Sequence, residues 1–436
     1  MKKKFLSQIP ILLILVLTLL FSFLIWSLTL CDTVVPDDTV IESDSVLLRL
    51  KAMEEIPDFD TNRFGAIENC FKTNYYTELP SNETLAEATK NAYLEFCTEV
   101  DTSSKTEVTY SLIDCFIYAI GDKYAFYRSA EEYQEYSSDM SGSFIGIGVS
   151  VLRNDLEKTI FVNSVEPSSP AFNAGILADD YIVAVNGNRV SDIGTSDAVN
   201  MIKGEKGTEV NVTVNRAGTE ITFTMIRDEI VETSVSYSIM EEANVGYIKI
   251  SSFKGNTAMQ FFKAINELEK ANVSGIIFDL RRNPGGYLSA VTDMLSYLVP
   301  TGTQIASFSS SKPSVFASDG TIYETDDHIL SVPSVVICDG SSASAAELFT
   351  AAMRDYNDMG LINCIVVGNT TYKKGVMQST MTFNDGSSLT FTTALYNPPS
   401  GENFNGIGVI PDVIVPDDGD YIDIALSELI RLTENN

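Results

Sequence analysis

The stretch from residue 335 to residue 378 holds the side chains best placed to do chemistry. Ser341, Ser342 and Ser344 lie between a short apolar run, Val335-Val336-Ile337-Cys338, and a segment of good helix formers, residues 343–353. A serine between a buried strand and a helix meets unpaired backbone N–H groups and a helix dipole that favours negative charge. Both suit a hydroxyl that attacks a carbonyl and leaves an oxyanion behind. The plainer alternative is that these serines only cap the helix. A serine nucleophile needs a base, usually histidine. The chain has one, His328, in an Asp-Asp-His stretch expected to be a solvated approach to a strand. Lysine is the alternative where burial lets it lose its proton. Lys374, beside Gly375 and four residues before Gln378, fits that role.

Ser342-Ala343-Ser344-Ala345-Ala346-Glu347, followed by Lys374-Gly375-Val376-Met377-Gln378, resembles the signature of the carboxy-terminal processing peptidases, or tail-specific proteases. The resemblance implies that Ser344 is the nucleophile, Lys374 the base and Gln378 its helper. Two departures stand out. Lys373 occupies the place of the family's usual first glycine, and the Ser-to-Lys spacing is several residues longer, with the extra length expected in a loop over residues 356–361. Arg281-Arg282-Asn283-Pro284-Gly285-Gly286 is similar to the family's turn beside the nucleophile. It implies an oxyanion hole from the backbone of Gly285 or Gly286 with Ala345; alternatively the glycines only close a tight turn. Residues 396–401 and 406–412 are similar to the family's closing motifs.

The elements that position these residues read as an α/β core. Val245-Gly246-Tyr247-Ile248-Lys249-Ile250 alternates as a strand, a helix follows with Thr257 and Gln260 as its expected cap, and residues 275–280 form a buried strand. Strand, helix, strand, helix, strand in this order favours a largely parallel sheet. Strands over residues 377–383 and 388–395 and a last amphipathic helix, 423–432, complete it.

Upstream, Gly142-Ser143-Phe144-Ile145-Gly146-Ile147-Gly148-Val149, then Pro170-Ala171-Phe172-Asn173-Ala174-Gly175-Ile176 and the hairpin signal Asn186-Gly187, look like a PDZ domain. Its loop, Ile145, Gly146, Ile147, Gly148 and Val149, would offer backbone N–H groups to a peptide carboxylate. Residues 46–136 are helical in pattern, with Thr84 and Glu87 read as a capping box.

Composition bounds the rest. A chain of 436 residues suggests two or three globular units, and 44% apolar content permits large cores. A net charge of −30 without a basic stripe argues against nucleic acid. Lys2-Lys3-Lys4 precedes an almost uncharged run, residues 5–30, long enough to span a bilayer with the positive flank inside. No Ala-x-Ala site follows, and Leu30 is too large for a lipoprotein site before Cys31, so a retained anchor is expected. Six cysteines are too few for a disulfide scaffold. Cys338 and Cys364 read as core; Cys70, Cys97 and Cys115 fall in helical segments, and a pair among them could form outside the cell. No metal-ligand spacing occurs, and no cofactor is implied.

The expected architecture is therefore an α+β / α/β multidomain chain: a signal anchor (1–30), an acidic linker (31–45), a helical N-terminal region (46–140), a PDZ domain (141–230), and a peptidase core with C-terminal strands and helix (231–436). The expected function is a membrane-anchored, extracytoplasmic serine endopeptidase that takes proteins or peptides by exposed C-terminal tails, with homo-oligomerisation left open. The rival is an inactive PDZ scaffold that binds tails without cutting them.

Overall fold

The computed structural model describes residues 33–35, 44–310, 321–323 and 328–434. The expected anchor and most of the linker lie outside these residues. Among the described residues no helix is long and apolar enough to cross a membrane. The chain divides into two compact units.

One unit joins the described residues within 1–134 and 307–321 to residues 376–396. Its helices, Val46–Lys51, Thr61–Asn74, Asn82–Phe96 and Lys105–Ile120, each start from a side-chain cap: Ser45, Asp60, Ser81 and Ser104. The cap of the third is thus Ser81 rather than Thr84, because the chain is already helical at Asn82. The helices bury Phe64, Phe71 and Phe116 against Met381, Phe383, Leu389 and Phe391 of an antiparallel pair, Val376–Phe383 and Ser388–Asn397. Sequence order puts that pair with the peptidase core; its apolar face belongs with the helices. Asp122 fastens it by accepting from Thr392 N at 2.9 Å, and Arg63 pairs with Asp385 at 2.7 Å. Thr33–Val35, within the expected linker, run parallel to Val376–Phe383 as an added strand.

The second unit contains the PDZ fold and the α/β core. The PDZ sheet runs in the order Val149–Asn154, Thr159–Val165, Tyr181–Val185, Glu209–Arg216, Thr219–Ile226, around Ile147, Ile160, Val162, Val210, Val212 and Val214. Its tight turn has Asn186 at φ 48° and Gly187 at φ 82°, the left-handed pair that the Asn-Gly signal requires. The chain enters and leaves through a two-stranded ribbon, Ser143–Gly146 against Asp228–Val231.

The core sheet has six strands in the order Val235–Met240, Val245–Ile250, Gly275–Asp279, Ser334–Cys338, Cys364–Gly368, Val413–Ile414. All neighbours after the first pair are parallel, as the alternation of strands and helices predicted. Successive strand residues face opposite sides. Phe278 meets Phe261 and Phe349 of the helices Thr257–Lys270 and Ala345–Asp358, whereas Ile277, Val335, Ile337 and Val367 meet Ala425 and Leu429 of the helix Tyr421–Glu434.

Two local expectations change. Gln260 caps no helix: its amide accepts from Ser234 N and Val235 N and donates to Glu232 O at 2.7 Å, bracing the exit from the PDZ ribbon. Residues 356–358 are not loop, because fully buried Tyr356 extends the apolar face of Ala345–Asp358 by another turn.

Candidate active site

The turn after Ser334–Cys338 separates the three serines. Ser342 is buried and structural: its Oγ donates to Leu280 O at 2.8 Å and accepts from Asp339 N at 2.9 Å. Ser341 is exposed, its N–H held by Asp339 Oδ1. Ser344 differs from both. It stands at the N-cap of Ala345–Asp358 with φ 56° and ψ −115°, a conformation that costs a side-chain-bearing residue about 1–3 kcal/mol. That backbone lifts the half-exposed Ser344 clear of a turn whose next two residues, Ala345 and Ala346, are buried. Strain of this kind marks serine nucleophiles at strand-to-helix turns.

Glu347 holds the turn in that shape. It has no solvent exposure, and its carboxylate takes donors from both halves of the motif. Oε2 accepts from Ser344 N at 2.9 Å and from Lys374 N at 2.7 Å; Oε1 accepts from Lys373 N at 2.6 Å and Thr371 Oγ1 at 2.5 Å. Two backbone nitrogens, one of the candidate nucleophile and one of the candidate base, therefore share a single oxygen. The lysine-bearing loop is further fixed where Asn405 Oδ1 accepts from Gly375 N and Asn403 Nδ2 donates to Gly375 O. A Cβ on Gly375 would lie 2.8 Å from Asn405 N, so the position requires glycine. Lys374 is half-buried; Lys373 is exposed, at φ 83°. That left-handed backbone is the physical reason a glycine suits the place Lys373 occupies.

Gly285 packs on the nucleophile itself. A Cβ there would lie 2.8 Å from Ser344 Cβ and 3.1 Å from Ala345 N. Its N–H is committed to Asn283 Oδ1 at 2.8 Å, while Asn283 Nδ2 donates to Ile250 O. Gly286 lies against Phe253, whose carbonyl accepts from Tyr287 N at 2.6 Å. Among the described residues, the N–H groups of Gly286 and Ala345 have no acceptor. The strand leading into this turn ends in Asp279, buried and bonded to Arg281, Lys249 and Tyr247. Burial alone would raise its pKa, but the hydrogen bonds of Arg281 and Tyr247 hold it below the usual carboxylate range.

His328 is occupied elsewhere. Its ring stacks on Tyr297 at 3.8 Å, with Nδ1 2.6 Å from Tyr297 O and Nε2 3.0 Å from Glu269, and neither partner belongs to this site. Gln378 lies on the strand Val376–Phe383 of the other unit, where its amide donates to Val376 O and Thr392 Oγ1.

In the PDZ fold, Ile145 and Gly146 are paired with Glu229 and Asp228. Ile147 is core, and its carbonyl accepts from Ala171 N at 2.8 Å. The N–H groups of Ile147 and Gly148 have no acceptor among the described residues. Val149 opens the strand at the edge of the sheet. A Cβ on Gly148 would lie 2.2 Å from Ser169 Cβ, so only glycine fits.

Sequence reasoning missed the parts that Glu347, Thr371, Asn283, Asn403 and Asn405 play. Glu347 had a signal, the Ser-x-x-Glu spacing that lets a carboxylate reach back to the N-cap N–H.

These features are those of a PDZ domain joined to a serine-peptidase-like α/β core. Residues 143–226 match the profile of the PDZ domain and residues 244–415 that of peptidase family S41. The chain belongs to the carboxy-terminal processing peptidase family. The carboxy-terminal processing protease CtpA of Bacillus subtilis is 33% identical over 297 residues, 68% of this chain and 61% of that protein. A probable CtpA-like serine protease of Staphylococcus epidermidis is 32% identical over 314 residues, 72% of this chain and 61% of that protein. The chain thus spans about three-fifths of these relatives' length. The photosystem II D1 C-terminal processing protease superposes with a TM-score of 0.48 at 22% identity, covering 89% of this chain and 98% of its own.

Proposed function

We propose that this chain is a serine endopeptidase that binds the carboxy-terminal tails of proteins through its PDZ domain and cleaves them by a Ser344–Lys374 dyad. The observation that carries the reading is the Glu347 carboxylate, which accepts from the N–H of Ser344 and of Lys374 on one oxygen. Ser344 Oγ attacks the scissile carbonyl, and neutral Lys374 takes the proton. The oxyanion is received by the N–H groups of Gly286 and Ala345; that of Gly285 is committed to Asn283. Lys374 returns the proton to the leaving amine, and water then hydrolyses the acyl-enzyme. Gln378 is assigned to orienting Lys374. The N–H groups of Ile147 and Gly148 receive the tail carboxylate while the tail adds a strand to the edge formed by Val149–Asn154. Residues 1–30 anchor the chain in the cell membrane, with the bulk outside.

Cleavage of a tail-bearing protein, with active-site labelling by a fluorophosphonate, tests the dyad. Ser344→Ala and Lys374→Ala should each lose nearly all turnover and keep tail binding, while wild type labels at Ser344. Wild type as inactive as Ser344→Ala, with both binding tails, would point instead to a scaffold. Protease shaving of intact cells should degrade the soluble part; full-length protein in the cytosolic fraction would refute the anchor.

A further inference from the structure

Cys97 and Cys115 lie eighteen residues apart in sequence and bring their sulfurs to 3.7 Å. Cys97 ends the helix Asn82–Phe96 as its C-cap, and Cys115 lies on the third turn of Lys105–Ile120. Forming a disulfide would require the sulfurs to close by about 1.7 Å. The site can supply that movement, because Cys97 is outside the regular helix at φ −104° and ψ 35°. The two thiols differ in access: Cys97 is partly exposed and Cys115 is buried. The thiols of Cys338 and Cys364, by contrast, are turned to the carbonyls of Asn369 and Ile365.

We propose that Cys97 and Cys115 are a modification site, a dithiol that exchanges with an external disulfide and becomes an internal one. The external oxidant is a small-molecule disulfide such as oxidised glutathione, or the disulfide of an oxidoreductase. The thiolate of Cys97, the accessible member, attacks one sulfur of the oxidant, and the other sulfur leaves as a thiolate. Cys115 then gives up its proton and attacks Sγ of Cys97, expelling the second thiolate. Two protein thiols are oxidised by two electrons, and one external disulfide is reduced to two thiols. Burial that pushes the Cys115 thiol up makes the second step the slow one. The product closes the connection between the two helices into a covalent loop, which restricts the unfolded chain. The inference goes beyond the peptidase reading and does not depend on it.

The test uses the full chain, reduced, freed of reductant and equilibrated with oxidised glutathione, then read by intact mass and peptide mapping. Wild type should lose about 2 Da, with the Cys97 and Cys115 peptides joined. Cys115→Ser should stop with one glutathione on Cys97, and Cys97→Ser should leave Cys115 unmodified while the protein stays folded. Hydrogen exchange across residues 97–115 should slow in oxidised wild type and not in either variant. Wild type that ends with glutathione retained on Cys97, with both thiols free, or with either cysteine joined to another would overturn the assignment. Mass is the readout, so the outcome is the same whether or not the chain cleaves peptides.

Discussion

Glu347 and Asp279 are both carboxylates with no solvent exposure, and each fixes one turn of the same site with a different balance of backbone and side-chain donors. Asp279 is held mainly by side chains, the Arg281 guanidinium at 2.7 Å, Lys249 Nζ at 3.1 Å and the Tyr247 hydroxyl at 2.6 Å, with a single backbone donor, Arg281 N at 2.9 Å. The donors to Glu347 are three backbone N–H groups and the Thr371 hydroxyl. Flexible cations can follow a carboxylate that shifts. Backbone donors cannot, so the position of Glu347 and that of the chain around Ser344 and Lys374 are one quantity. Disturbing Asp279 should therefore register in stability, and disturbing Glu347 in turnover.

Glu347→Gln gives the largest expected effect. One oxygen becomes an NH2 that faces two donors, which displaces either Ser344 or the lysine loop. A misplacement of this size should lower kcat about 100-fold with KM for tails nearly unchanged. Labelling of Ser344 by fluorophosphonate should slow in parallel. Equal rates in wild type and variant would dissolve the contrast.

Asp279→Asn comes next. It leaves the partly exposed Arg281 and Lys249 facing a neutral amide, for a loss of about 2 kcal/mol in urea unfolding once solvent screening of the cations is allowed for. Residual turnover per folded molecule should stay close to wild type. A turnover loss like that of Glu347→Gln would show that both carboxylates set position.

A third carboxylate, Asp180 in the PDZ domain, sharpens the rule at a smaller scale. Hydrogen bonds from Arg216, at 2.6 Å and 2.7 Å, hold it below the usual carboxylate range against the opposing effect of burial. Stability from such a group is fully present above about 3.9, the unfolded value, and is lost as pH falls through the lower folded value. Asp180→Asn should cost about 1–2 kcal/mol at neutral pH, allowing for the partly exposed arginine, and should cost progressively less in acid. Hydrogen exchange in Tyr181–Val185 and Glu209–Arg216 measures it.

Lys373→Gly should have the smallest effect. Glycine relieves a left-handed backbone, for a gain of about 1 kcal/mol that its greater freedom when unfolded partly offsets. Activity should be unchanged, because the contact with Glu347 uses only the Lys373 N–H. A dead variant would mean that the Lys373 side chain takes part in the reaction.

The site was legible where short motifs carry geometry. The strand over 334–338, the helix after Ser344 and the Asn-Pro-Gly-Gly turn are local patterns, as is the left-handed turn at Asn186-Gly187. What joins them was not legible, because Thr371 and Lys374 meet Glu347 across 24 and 27 residues of sequence. Gln260 shows the same limit from the other side. It has the spacing of a cap, yet its amide is claimed by Glu232, Ser234 and Val235, which no local rule could anticipate. The strand pair after Lys374 is legible as strands, but its neighbours are not. Alternation says that one face is apolar, and only the fold shows that Phe391 meets Phe71.

That meeting of Phe71 with Phe391 also sets an order of assembly during synthesis. The PDZ fold is continuous in sequence and complete once Ile226 and its ribbon have emerged. The helices that precede it are made first but remain uncovered until the ribosome has passed Phe391, some tens of seconds later at about 5–20 residues per second. The helices made before the PDZ fold thus close their core only after it is complete, and a nascent chain ending at Gly375 carries a finished PDZ fold and helices whose aromatic face still lacks its lid.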